Sequence, residues 1–119
     1  MKIQDIANRL VALCRDAKWE AAQRELYADT AQSIEAEPGP AFPQQTSGLP
    51  AIIEKGKKFD AMVEQMHAIT VSEPLIADSS FACTMQMDVT MKGQPRFTMK
   101  ELCVYDVKDG KIVIERFHP

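Results

Sequence analysis

Val104-Tyr-Asp-Val-Lys-Asp-Gly-Lys-Ile112 decides the fold. Two apolar-rich runs meet at Asp109-Gly110, and an Asp-Gly pair in that setting is a strong signal for a two-residue hairpin turn. Reading back from this turn, the spacing of apolar residues has a period of two. It predicts strands over 67–77, 80–91, 96–107 and 111–118, with a second turn at Met91-Lys-Gly-Gln-Pro95. Upstream of His67 the period is helical. Ile3, Ile6, Ala7, Leu10, Leu13 and Cys14 form one apolar stripe, Trp19, Ala22 and Leu26 a second, and Ile52, Gly56, Phe59, Val63 and Met66 a third. Pro50 suits the first turn of the third helix. A short extended piece is expected over 32–37. The stretch 37–50 holds four prolines and two glycines, which predicts an irregular loop over the surface or a pocket mouth. Helices first and a strand meander after define an α+β chain, with helices on one face of a curved antiparallel sheet.

Composition narrows the function classes. The chain has 119 residues, 45 % of them hydrophobic and 26 % charged, which suits one globular domain over 1–119 with room for a core and a pocket. A net charge of −3, one Trp and no basic stripe argue against nucleic acid as a partner. No apolar run approaches the ~20 residues of a membrane helix, so no membrane partner is expected. The first residues lack the apolar core of a secretory signal. Cys14, Cys83 and Cys103 are odd in number, widely spaced and set in apolar runs. They read as buried free thiols of a reducing cytoplasm, and no spacing supports a metal site or a cofactor.

The chain resembles the SnoaL-like branch of the nuclear transport factor 2-like superfamily. Glu25-Leu-Tyr-Ala-Asp29, Glu35-Ala-Glu-Pro38, Gly48-Leu-Pro-Ala-Ile52 and the hairpin segment carry the resemblance, in order, over nearly the whole chain. It implies a cone, a sheet wrapped around three helices with a cavity open at one end, and a homodimer through the sheet face. Apolar residues on both sides of the penultimate strand agree: Phe97, Met99, Cys103, Tyr105 and Val107 alternate with Leu102 and Val104. The superfamily includes isomerases, polyketide cyclases, dehydratases and plain binding modules, so two functions stay open. One is an acid–base enzyme acting on a hydrophobic carbonyl-containing small molecule. The other is a non-catalytic ligand-binding or dimerisation module.

Ionisable residues on an apolar face are the candidates for chemistry. Glu101 shares the face of Phe97, Met99, Cys103 and Tyr105. Glu115 shares the face of Val113 and Phe117, and the resemblance implies that this face of the last strand lines the pocket, so the two carboxylates are expected to face one cavity and to push one pKa up. The competing reading is a carboxylate paired with a basic residue at the rim. Glu35 and Glu37 are two apart and are expected to point the same way. The resemblance implies a proton-shuttling carboxylate at one of them, and the two registers leave the choice open; an exposed pair is the alternative. His67, expected on the face of Ile69 and Val71, is a further acid or base, or else a hydrogen-bonded structural histidine. Tyr27, Met85, Met99, Cys103, Tyr105 and Phe117 are the expected pocket lining. Lys55-Gly-Lys-Lys58 reads as a solvated helix face. The resembled isomerases carry an oxyanion-donating tyrosine where this chain has Leu10, and a second acid at the position of Leu102 or Cys103. That departure argues against a steroid isomerase.

Overall fold

The structure, a computed structural model, describes residues 1–119. Three helices, α1 (Ile3–Arg15), α2 (Trp19–Leu26) and α3 (Leu49–Met62), pack on the concave face of a seven-stranded sheet. The strands are β1 (Tyr27–Glu35), β2 (Gln45–Ser47), β3 (Val63–Val71), β4 (Leu75–Ile76), β5 (Ser80–Met91), β6 (Phe97–Lys108) and β7 (Lys111–His118). Their order is β2-β1-β7-β6-β5-β3, with β4 on β5. No helix is long and apolar enough to cross a membrane.

The stripes read for α1 and α2 face the core; that of α3 ends at Phe59, because Val63 and Met66, expected on the helix, lie in β3. Ile6, Ala7, Leu10 and Cys14 of α1, Ala22 and Leu26 of α2 and Ile52 of α3 meet Phe81, Cys83, Met85, Tyr105 and Ile112 of the sheet in one core. Gly48, with φ of 92°, turns the chain into α3, and its N–H is bound by the Ala31 carbonyl at 2.8 Å. The Asp109-Gly110 turn has φ of 52° and 75°, a left-handed pair that matches the twist of the β6–β7 hairpin. Gly110→Ala should therefore cost about 1–2 kcal/mol, the left-handed penalty of a residue with a Cβ. A Cβ there would also stand 3.3 Å from the Met1 nitrogen. Urea denaturation checks it, and an unchanged midpoint would refute the assignment of strain.

Several expectations need correction. The sheet is mixed, curved and unclosed, not wholly antiparallel, because β1 and β7 run parallel, Ser33 beside Glu115 and Glu35 beside Phe117. Parallel neighbours need a long crossover, and everything between β1 and β7 supplies it. The extended piece expected at 32–37 begins at Tyr27, straight out of α2, and stops at Glu35. The Pro-rich stretch contains a short strand, β2, antiparallel to β1. The pairing registers slip within β3 and near the β6–β7 turn, as β-bulges do. The slip next to Val107 pairs that residue with Ile112 and Asp106 with Ile114, skipping Val113. Ile112 is therefore the buried neighbour on the inner face with Glu115, in place of the expected Val113.

Candidate functional site

The open end of the curved sheet leads into a cavity of about 150 Å³. Its apolar walls come from α1 (Leu10, Cys14), α2 (Trp19, Ala22), α3 (Ile52, Phe59) and β5 (Met85, Met87). Trp19 is fixed there by a 2.9 Å hydrogen bond from Nε1 to the Asp60 carboxylate and by an edge-on contact with Phe59. Phe42 reaches the cavity from the Pro-rich loop. The ammonium of Lys58 holds that loop by donating to the Ala41 carbonyl at 2.7 Å.

Strand alternation aims three carboxylates into this apolar space: Glu35 from β1, Glu101 from β6 and Glu115 from β7. The parallel β1–β7 pairing sets Ser33 directly beside Glu115. Both residues are buried, and the Ser33 hydroxyl beside the Glu115 carboxylate helps to hold its pKa down. The Tyr27 hydroxyl donates to Glu115 from the other side. Lys55 closes the arrangement from α3. Its Nζ lies 3.0 Å from Glu35 Oε1, donates to Ser33 Oγ at 3.0 Å, and stands 5.5 Å from the centre of the Phe117 ring. Tyr27, Glu115, Ser33, Lys55 and Glu35 thus form one continuous polar chain, and Glu101 faces it from the neighbouring strand.

The electrostatics follow from placing three acids and one cation out of water. Burial pushes the Glu101 carboxyl up to about 7; the Glu35 carboxylate adds to the rise, and Lys55 opposes it. Burial likewise raises Glu115, while the hydrogen bonds from Ser33 and Tyr27 and the charge of Lys55 hold it down. Tyr27 is driven well above the usual phenol range by burial and by the Glu115 charge. Tyr105, stacked on Phe81 at 4.8 Å between ring centres, is raised by burial as well. Both phenols therefore remain hydrogen-bond donors at neutral pH. Glu101, at about 7, changes its protonation state near neutral pH.

The expected site residues divide into two groups. Glu35, Glu101, Glu115, Tyr27, Met85, Tyr105 and Phe117 line the cavity together. Glu37 does not: β1 ends at Glu35, so the strand alternation that was to align the two glutamates is lost, and Glu37 lies exposed on the rim. Met99 lines an outer groove instead, with Glu37, Met62, Met91 and Phe97. Cys103 is fully buried opposite Cys83 and packs in the core. His67 falls at a slip in the β3–β5 register, between Met66 and Ala68. That slip moves it off the face of Ile69 and Val71, and its Nε2 meets Thr90 Oγ1 at 2.8 Å, away from the cavity.

Two polar cavity residues, Lys55 and Gln23, were missed by the sequence reading. Lys55 was assigned to a solvated face, yet it sits three residues after Ile52 and four before Phe59, on the apolar stripe of α3. Gln23 has the same signature on α2, four residues after Trp19 and three before Leu26. In both cases a polar residue at a core position of a helix was the available signal.

A mixed curved sheet wrapped on three helices, with acids facing an interior cavity, defines the nuclear transport factor 2-like fold. The chain belongs to the SnoaL-like domain family, whose model matches residues 1–118. A Mesorhizobium loti crystal structure, assigned as a candidate SnoaL-like polyketide cyclase, is 32 % identical, covers 100 % of both chains and superposes with a TM-score of 0.91. A Catenulispora acidiphila protein with a ketosteroid isomerase-like fold, solved with trimethylamine, shares the fold at 16 % identity. Its TM-score is 0.76, over 100 % of this chain and 87 % of that one. Translation initiation factor IF-2 of Leptospira interrogans is 32 % identical over 90 residues, which is 68 % of this chain. The matched stretch is only 10 % of that factor's length.

Proposed function

We propose that the chain is an acid–base enzyme of isomerase, cyclase or dehydratase type, acting on a hydrophobic carbonyl-containing small molecule bound in the cavity. The observation that carries this reading is Glu101, an acid lifted to about 7 in an apolar cavity that also holds two further carboxylates and one ammonium. At neutral pH such a group is present in both protonation states, as a general acid or base needs. In this reading Glu101 removes a proton from the carbon next to the carbonyl. Lys55 is the cation available to the negative charge that develops on oxygen, and Glu35 and Glu115 set the field around both. Membership of a family with cyclase and isomerase-like structural neighbours supports the reaction type. The cavity volume is on the scale of a single ring, going by an apolar cavity of ~150 Å³ that accepts benzene. Glu35, Phe42, Phe59, Glu101 and Phe117 line both the cavity and the outer groove, so a ligand longer than one ring has a way out. Half-exposed Leu102 and neighbouring Val104 support pairing of two copies through the outer sheet face.

Proton–deuteron exchange at the methyl group of acetophenone in deuterated buffer tests the reading. The protein should accelerate exchange, and Glu101→Gln should reduce the acceleration about 100-fold, the usual contribution of a positioned acid–base group. No acceleration, with every glutamate titrating near ~4.3 by carbon NMR, would leave a binding module as the better account.

A further inference from the structure

Gln23 is a polar cavity residue whose chemistry the acid–base reading leaves unused. The residue is only 8 % exposed, and it lines the cavity from α2. Its Oε1 is shielded from solvent and has no hydrogen-bond partner. An amide oxygen left unpaired inside a protein is disfavoured, whereas a leucine would fill nearly the same space without that penalty. The residue beneath it is glycine. A Cβ built on Gly56 would lie 3.9 Å from both amide heteroatoms of Gln23, an ordinary contact distance, so the amide lies directly over this glycine. The terminal torsion of a glutamine is broad and soft, and turning it presents Oε1 to the cavity. No protein donor takes up this acceptor, and the walls beside it, Trp19, Ala22 and Phe59, are apolar.

We propose that Gln23 is a specificity-determining residue that accepts a hydrogen bond from an O–H or N–H group on the end of the ligand nearest α2. The proposal rests on the reading of the cavity as a site for a carbonyl compound, and it makes that compound bifunctional. The carbonyl lies towards Glu101 and Lys55, and a hydrogen-bond donor lies towards the helix pair. A ring with the carbonyl on one side and a hydroxyl or amine on the other satisfies both ends. A ring bearing only the carbonyl leaves Gln23 unpaired, and sites built to bind a polar group reject the analogue that lacks it.

Calorimetric titration of acetophenone and 4-hydroxyacetophenone into the protein and into Gln23→Leu tests this. The wild type should bind the hydroxylated ketone about fivefold to tenfold more tightly, the worth of one net hydrogen bond. Gln23→Leu should reverse the preference, and the empty variant should melt no lower than the wild type because an unpaired acceptor has been removed. Gln23→Met serves as the second variant if leucine impairs folding. Equal binding of the two ketones by the wild type, or a hydroxyl preference that survives in the variants, overturns the proposal alone. A melting temperature that falls in both variants assigns Gln23 a structural role and also overturns it. Failure to bind either ketone overturns the carbonyl reading and the proposal together.

Discussion

Lys55→Met should destabilise the protein by about 3 kcal/mol at pH 8, the cost of removing one partner from a buried ion pair. The side chain of Lys55 is 13 % exposed and that of its partner Glu35 is 28 % exposed, so solvent screens the pair only in part. Methionine keeps most of the volume and the contact with Phe117, which isolates the charge from the packing. Lys55 is the sole cation among Glu35, Glu101 and Glu115 in the cavity wall. Its loss leaves three acids repelling one another in apolar surroundings and frees Ser33 Oγ of a donor. The penalty has a sign in pH. Lys55 holds down both Glu101 and Glu115, so without it their folded-state carboxyls rise further. Stability of the variant then falls more steeply than that of the wild type as pH rises from the ordinary carboxylate range. Urea denaturation at pH 8 and pH 4.5 should show a large difference that narrows at the lower pH. A loss below ~1 kcal/mol that is the same at both pH values would mean that Lys55 behaves as an exposed surface charge.

Glu101→Gln should have the opposite effect on stability. In the unfolded chain this carboxyl titrates near its ordinary value of 4.5, and in the folded protein near 7. Between those values the folded state keeps a proton that the unfolded state has released. Stability contributed at this position is therefore fully present below about 4.5, is lost as pH rises through about 7, and is flat beyond. At 1.36 kcal/mol per pKa unit the wild type forgoes at most about 3 kcal/mol above pH 7. Glutamine carries no ionisable proton and escapes this cost. The variant should match the wild type at pH 4 and exceed it by on the order of 2–3 kcal/mol at pH 8, with the excess tracking the titration of Glu101 seen by NMR. A variant less stable than the wild type at pH 8 would show that the ionised carboxylate is held by favourable partners, contrary to the assignment. Together with loss of exchange activity, the expected gain would mark Glu101 as a position where stability is given up for chemistry.

The contrast between these two residues shows where sequence reasoning reaches. Glu101 stands out from sequence because a strand has a period of two, and one acid at the position of a row of apolar neighbours cannot face water with them misplaced. Glu115 was expected inward through the resemblance rather than spacing alone, and its expected neighbour Val113 gives way to Ile112 through a slip in register between β6 and β7. Lys55 failed the same kind of reading. A lysine in a Lys-Gly-Lys-Lys run is ordinarily solvated, and nothing local says that Glu35 will stand 3.0 Å from its Nζ. Gln23 was legible only as a polar residue within an apolar stripe.

The amino-acid sequence by itself determined the periodic elements, the Asp109-Gly110 hairpin, the α+β class and the inward direction of Glu101, because each depends on spacing over a few residues. Tertiary structure alone decided the parallel pairing of β1 with β7, which sets Ser33 beside Glu115, and the register slip that carries His67 to Thr90. It also chose Glu35 over Glu37 for the cavity and placed Cys103 in the core behind it. Those outcomes depend on which strand lies next to which, and on charges that meet through space from positions far apart in the chain. No local periodicity encodes either.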